Sequence, residues 1–109
     1  MKQVNILGTQ YTIYESNQIE NPALNECDGY CDETTKECII DSTRYDSDPM
    51  AKRDIQAYKD KVLRHEVIHA FLFESGLAEN SWAVNEEIVD WIASMFPKIK
   101  TVFEQLGVS

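Results

Sequence analysis

Apolar and polar side chains alternate in residues 2–7 and 9–15, a pattern typical of half-buried β-strands. Within the first 45 residues four segments predict strands: 2–7, 9–15, 28–32 and 36–41. Gly8 lies between the first two segments, and residues 33–35 form a predicted turn between the last two. Residues 16–27 are polar and predict a loop. We therefore expect a small sheet of three or four strands that includes an antiparallel hairpin.

After residue 45 the apolar positions change to the period of an α-helix. The segment Asp46-Ser47-Asp48-Pro49 is a helix start signal in which Ser47 or Asp48 can cap, and Gly76 suits a C-terminal cap. These signals predict one long helix over residues 48–76. Its second half is apolar nearly all round, so we expect that half to lie buried between layers.

A second helix is predicted over residues 82–96, with six apolar side chains expected to face the core: Trp82, Ile88, Val89, Ile92, Ala93 and Phe96. Pro97 is expected to end this helix, because proline cannot donate an intrahelical hydrogen bond. The remaining segment, 97–109, has apolar residues at helical spacing: Ile99, Val102, Phe103 and Leu106. We expect it to dock through that stripe.

A chain of 109 residues predicts a single domain, 1–109, with one modest core. Its four parts are the sheet region 1–45, the helices 48–76 and 82–96, and the C-terminal segment 97–109. Strands followed by helices indicate the α+β class. We expect a small, mostly antiparallel, twisted sheet packed on the long helix, with the second helix behind it.

Charge narrows the classes of partner. The chain has 19 acidic and 10 basic residues, a formal net charge of −9. This surface would repel nucleic-acid backbones and anionic membranes, so neither is a predicted partner. The first residues do not have the pattern of a signal peptide, and no apolar stretch is long enough to span a bilayer. These features predict a cytoplasmic protein.

The chain has three cysteines, Cys27, Cys31 and Cys38. An odd count with no predicted export signal argues for reduced thiols. Their spacing is not that of a standard zinc site. Cys31 and Cys38 flank the second predicted turn, so a cross-strand disulfide in an oxidising setting is the alternative.

The stretch 64–72 contains the pattern H-E-x-x-H, formed by His65, Glu66 and His69. In a helix the two histidines lie one turn apart on one face, where two imidazoles can share one tetrahedral Zn²⁺. Glu66 is rotated by about 100° from His65, which suits a general base that is not itself a ligand. Both histidines of the chain fall in this pattern. The alternative is a helix with two ordinary histidines.

A catalytic zinc site needs a third protein ligand, and the next helix offers three acidic residues. Glu86 and Asp90 lie four residues apart on one helical face. This spacing favours Glu86 as the ligand and Asp90 as the acceptor of a hydrogen bond from the outer ring nitrogen of one histidine. Glu87 is the competing ligand. We predict one Zn²⁺ per chain, bound by His65, His69 and Glu86.

These residues resemble the gluzincin metallopeptidases of the thermolysin type, through H-E-x-x-H at 65–69 and N-E-x-x-x-D at 85–90. The small size resembles the single-domain minigluzincins, and the sequence around the motif is similar to small proteins of phages of Gram-positive bacteria. The resemblance implies a zincin-like fold over residues 1–96 and hydrolysis of peptide bonds. It also implies that Glu66 moves the proton of a zinc-bound water to the leaving amine, and that an edge strand near 28–41 binds the peptide.

The chain departs from the family in two ways. Full-length gluzincins supply a histidine or tyrosine from a C-terminal subdomain to stabilise the transition state, whereas this chain has no third histidine. Five tyrosines remain as substitutes, and the sequence does not choose among them: Tyr11, Tyr14, Tyr30, Tyr45 and Tyr58.

The resemblance also implies that small members can be latent, so segment 97–109 is expected either to dock on the core or to cover the cleft. The resulting prediction is a zinc metallopeptidase that acts on a peptide or protein substrate. The alternatives are a zinc-binding structural or regulatory protein without turnover, and a toxin-like factor that binds a host protein.

Overall fold

The computed structural model describes residues 1–42, 53–77 and 82–109. The predicted helix start at 46–49 and Tyr45 lie outside the described residues.

Four strands form one sheet: β1 (Lys2–Ile6), β2 (Thr9–Ser16), β3 (Gly29–Asp32) and β4 (Glu37–Asp41). Their spatial order is β1-β2-β4-β3. The β1–β2 and β3–β4 pairs are antiparallel, whereas β2 and β4 run parallel. The sheet is therefore mixed, and its central parallel pair is a feature that the sequence pattern does not predict. β3 lies at one edge.

The turn between β1 and β2 is formed by Leu7 and Gly8, which have positive φ angles of 51° and 94°. Two successive residues with positive φ form a turn whose twist matches that of the flanking strands. The side-chain oxygen of Asn5 accepts a hydrogen bond from the Gly8 backbone N–H at 2.8 Å. This turn fixes the register in which Val4 lies opposite Tyr11.

Helix α1 spans Ile55–Glu74, whereas the predicted helix covered residues 48–76. Residues 53 and 54, which precede α1, are not helical. The carboxylate of Asp54 caps it by accepting a hydrogen bond from the Ala57 N–H at 3.0 Å. Gly76 has a φ of 79° and donates its N–H to the Phe73 carbonyl at 3.0 Å. The predicted C-terminal cap is therefore confirmed.

Helix α1 lies between the sheet and the second helix. On the sheet side, a core of four buried residues is completed by three partly buried ones: Ile6, Tyr11, Cys38 and Ala70, with Ile13, Cys31 and Val67. On the other side, Leu72 packs with Ala83 and Val89, and Ile68 packs against them. The second half of this helix thus packs between two layers as predicted, but Phe71 in it is 43% exposed.

Helix α2 spans Glu86–Leu106 and follows a short 3₁₀ turn, Trp82–Val84. The prediction that Pro97 ends the helix is wrong, because Pro97 lies inside α2. A proline has no N–H for the carbonyl four residues earlier, which is that of Ala93. The Nε of Arg64 on α1 donates to this carbonyl oxygen at 2.7 Å. The neighbouring helix thus supplies the hydrogen bond that the proline removes.

The buried residues of α2 both lie in its first half. Val89 and Ala93 are buried, whereas residues 101–109 are exposed throughout. Three residues that were expected to face the core are also exposed: Trp82, Ile88 and Phe96. The expectation that segment 97–109 docks on the core is wrong, because α2 continues past Pro97 instead of turning back.

Arg64→Met is expected to lower the free energy of unfolding by about 1–3 kcal/mol, because it removes the donor to a buried carbonyl. In a Pro97→Ala background the same change should cost about 1 kcal/mol less, since alanine restores the intrahelical N–H. Urea unfolding of the four proteins measures this coupling.

Arg53→Met, which removes an exposed arginine, is the matched control for Arg64→Met. Equal costs of Arg64→Met in both backgrounds would show that Arg64 does not compensate for the proline.

Candidate metal centre and the cleft around it

The two motif histidines lie side by side on α1. Four residues separate them, so they occupy successive turns of one helical face. Their Nε2 atoms are 3.2 Å apart, and their ring centroids are 4.9 Å apart. The helix therefore aims both ring nitrogens at one point, as the spacing of His65 and His69 predicts.

Glu86, the first residue of α2, reaches the same point. The side chain of Asn85 caps α2 by accepting a hydrogen bond from the Ile88 N–H at 3.2 Å, which fixes where the helix begins. Glu86 Oε2 lies 2.9 Å from the Nε2 of His65 and 3.2 Å from the Nε2 of His69. The cluster found within the described ranges contains Glu86 and not the competing Glu87.

The three groups fit one metal ion. Each offers one ligand atom, and these atoms lie within 4.8 Å of one another. Ligand atoms about 2.0–2.1 Å from a tetrahedral zinc are about 3.3 Å apart. The contacts of 2.9–3.2 Å among the imidazole nitrogens and the carboxylate oxygen are close to that spacing. The cluster of His65, His69 and Glu86 could therefore hold a metal ion.

Asp90 lies behind the first histidine, one turn along α2 from Glu86. Its Oδ1 is 3.3 Å from the Nδ1 of His65, where it can accept the ring hydrogen and direct Nε2 towards the cluster. Its Oδ2 is 3.2 Å from the Nζ of Lys61. Sequence reasoning placed Asp90 but missed Lys61. The signal was available, because Lys61 precedes His65 by one helical turn.

Glu66 is buried beside the cluster, with 8% of its surface exposed. Burial raises the pKa of its carboxyl to about 7. The nearby His65 acts in the opposite direction, and the negative charge of Glu86 raises the pKa further. Glu66 does not belong to the three-residue ligand cluster. It thus lies next to the candidate metal position without being a ligand.

Strand β3 approaches α1 closely at Glu66 because residue 29 is a glycine. A Cβ built on Gly29 would lie 2.9 Å from Cγ1 of Val62, 3.0 Å from the Ile39 carbonyl oxygen and 3.4 Å from Cγ of Glu66. Any larger residue would push the strand away from the helix. Gly29 therefore sets the distance between the edge strand and the candidate metal centre.

A cleft of about 720 Å³ opens between β3, α1 and the start of α2. Its walls include Asp28, Tyr30, Tyr58, Glu66, His69 and Glu86. No residue of the fully described segment 97–109 lines it, so the expectation that this segment covers the cleft is wrong.

Two of the four tyrosines in the described ranges line the cleft. Tyr30 donates its hydroxyl to Asn21 Oδ1 at 3.0 Å, and Tyr58 donates to Asp28 Oδ2. Tyr11 is instead buried in the core, and burial is the main cause that raises the pKa of its hydroxyl well above the usual value. The structure thus reduces the candidates for a transition-state donor among the described residues to Tyr30 and Tyr58.

None of the three cysteines, all of which lie in the described ranges, forms a disulfide. Cys31 lies directly opposite Cys38 in the β3–β4 register, and Cys31 also lines the cleft. The hydrogen bond that the neutral Cys38 thiol makes with Cys31, and then burial, raise the pKa of Cys38, so this thiol resists ionisation. None of the three belongs to the metal-ligand cluster identified in the described part of the chain.

Comparison of the chain with protein-family models, with curated proteins and with solved structures finds no match. Within the described ranges, no helix combines the length and the apolar character that crossing a membrane requires. The function must therefore be inferred from the residues of the cleft.

The protein is expected to bind about one zinc ion per chain. His69→Ala and Glu86→Ala should lose the metal, whereas Glu87→Ala, the matched control, should keep it. Elemental analysis after dialysis against zinc measures the metal content of each variant.

The wild-type protein is expected to melt at a temperature roughly 10 °C lower in excess chelator than in free zinc at about 100 times its Kd. The reason is that the metal binds the folded state and thereby stabilises it.

Zinc loss in Glu87→Ala with full retention in Glu86→Ala would move the third ligand by one residue. A wild-type protein that takes up no zinc would contradict the site altogether.

Proposed function

We propose that the chain is a zinc-dependent metallopeptidase of the gluzincin type with a zincin-like site. One observation carries the proposal. Two histidines of an H-E-x-x-H helix meet a glutamate of the following helix in an open cleft, with the motif glutamate beside them. A structural zinc site usually has four protein ligands, whereas a catalytic one has three. The three ligands here, in a cleft open to a substrate, favour the catalytic kind.

Zinc is a metal well suited to two imidazoles and one carboxylate. The chemistry that zinc supplies when bound is Lewis acidity, which polarises a peptide carbonyl and acidifies water. His65, His69 and Glu86 would hold the ion. Asp90 would orient the ring of His65 through its contact of 3.3 Å with Nδ1, and Lys61 would hold the Asp90 carboxylate through an ion pair of 3.2 Å.

Glu66 is proposed as the general base. It follows His65 in the chain and lines the same cleft, so its carboxylate is close to the reacting position without occupying a ligand position. A carboxylate in that place can take the proton of the attacking water and return it to the leaving amine. The low exposure of Glu66 keeps most bulk water away from the carboxylate.

The edge strand β3 is proposed to bind the peptide substrate. β3 is hydrogen-bonded to β4 on one side, and the order β1-β2-β4-β3 leaves its other side as a sheet edge. Gly29, Tyr30 and Cys31 of this strand line the cleft. A peptide that adds to this edge as an extra strand would pass directly over Glu66, which is where its scissile bond is needed.

A second candidate is a zinc-binding regulatory protein without turnover. The observation that favours it concerns the transition state. Both tyrosines of the cleft donate their hydroxyls to other side chains, Tyr30 to Asn21 and Tyr58 to Asp28. A peptidase needs one of these hydroxyls to turn towards the developing oxyanion.

Glu66→Gln is expected to keep zinc and to reduce peptide cleavage by about 10²–10⁴-fold, because an amide cannot accept the proton. The assay is digestion of a mixed library of unstructured peptides by zinc-loaded protein, followed by mass spectrometry. Glu87→Gln, which makes the same change one residue from a ligand, is the control and should retain activity.

Loss of zinc in Glu66→Gln would contradict the separation of base from ligand. A zinc-loaded wild-type protein that cleaves no peptide in the library would favour the regulatory alternative.

A further inference from the structure

The face of α2 turned away from α1 carries a heptad repeat of apolar residues that the metal centre does not use. Six residues follow each other at alternating spacings of four and three: Ile88, Ile92, Met95, Ile99, Val102 and Leu106. This alternation is the seam of a coiled coil. We propose that this face, called here the α2 seam, binds the same face of a second copy of the chain to form a two-fold symmetric helix pair.

The seam is at least partly open to solvent along its length. Ile88, Val102 and Leu106 are exposed, and the other three residues of the seam are partly buried. Leu106 is 68% exposed, and the aromatic residues Trp91, Phe96 and Phe103 beside the seam are 58%, 49% and 47% exposed. A continuous apolar stripe of this kind on a folded protein marks an interaction surface, whereas single exposed apolar residues do not.

The seam does not compete with the metal centre for space. Glu86 and Asp90, which belong to the site, and Ala93, which packs on α1, lie on the side of α2 opposite Ile88 and Met95. A second helix on the seam would therefore leave the cleft open. The further inference is independent of the proposed peptidase activity.

Charge favours a second copy as the occupant. The seam contains no charged residue. One of the six positions that flank it, Val89, is buried against α1. Of the other five, all exposed, only Lys98 is charged, and the rest are Trp91, Phe96, Phe103 and Gln105. In coiled coils the charges at these flanking positions select a partner of opposite charge. The α2 seam has almost none to match, and the acidic residues behind the net charge of −9 lie elsewhere.

The pattern also sets the direction of the pair. In an antiparallel arrangement the residues of the seam match in three kinds of pairs, Ile88 with Leu106, Ile92 with Val102, and Met95 with Ile99 of the second copy. A parallel arrangement would instead bring together the two acidic helix starts that contain Glu86 and Glu87. The antiparallel pair avoids that repulsion.

The available area is enough for a moderately stable dimer. Three half-exposed aromatic side chains offer roughly 100 Å² each, and the aliphatic residues of the seam add roughly 200–300 Å². A total of roughly 1,000 Å² over both copies lies at the lower end of specific interfaces. We therefore expect a dimer that dissociates in the micromolar range.

Sedimentation equilibrium of the full chain from about 5 to 500 μM tests the proposal. The mass should rise from that of the 12.5 kDa monomer to twice that value. Ile99→Asp should raise the dissociation constant by about tenfold or more, because it places a charge in the seam. Thr101→Asp adds the same charge at an exposed position outside the seam and should leave the constant within about threefold of the wild type.

Circular dichroism of each variant checks that the helix is retained, and Leu106→Asp, at the most exposed end of the seam, replaces Ile99→Asp if the latter unfolds. Raising NaCl from about 50 to 500 mM should tighten the dimer, since salt screens the repulsion between two acidic chains. A monomer mass over the whole range overturns the proposal. A dimer that the seam variants leave intact, or that Thr101→Asp disrupts equally, also overturns it.

Discussion

The meeting of α1 with the first turn of α2 is the contact on which the rest of the site depends. Two imidazole nitrogens and a carboxylate oxygen converge there at 2.9–3.2 Å. All three offer lone pairs, so without a cation they must share protons, whereas a metal ion lets each act as a ligand. The packing of the two helices and the affinity for metal are thereby linked, because ions that bind only the folded arrangement stabilise it.

Three consecutive residues of α1 hold the surrounding elements in place. Arg64 donates to the Ala93 carbonyl of α2, His65 faces Glu86, and Glu66 lies under the edge strand at Gly29. Successive side chains of a helix point about 100° apart, so one turn can reach three different neighbours. The burial of Glu66 is unfavourable for a carboxylate and raises its pKa. Groups in such environments are concentrated at functional sites, which agrees with the proposed role of Glu66 as a base.

The parts of the structure that the sequence predicted are those that local spacing determines. His65 and His69 lie together because four residues make one helical turn, and Gly76 ends α1 because only a residue that tolerates positive φ suits that position. The continuation of α2 through Pro97 was not predictable from the helix itself. Its missing hydrogen bond is replaced by Arg64, 33 residues earlier in the chain, and such a contact is known only once the helices are packed.

The parallel pairing of β2 with β4 is non-local in the same way. The strands and their hairpins follow from alternation and turn residues, but the order β1-β2-β4-β3 depends on how the chain between Ser16 and Glu37 returns to the sheet. That order matters for the site, since it places β3 rather than β4 at the edge that faces the cleft.

Helix α2 carries apolar residues on two sides. Its apolar pattern alone therefore did not identify which side packs on α1. Val89 and Ala93 fill the contact with α1, whereas Ile88 lies on the opposite, exposed side, and Phe96, two turns after Val89, is exposed as well. A helix that is apolar on two sides cannot bury both against one small body of 109 residues. Pro97 lies on the α1 side, where Arg64 compensates for it, so the exposed side keeps an uninterrupted heptad pattern. The same helix can thus present Glu86 to the metal centre and an apolar seam to a second chain without conflict between the two roles.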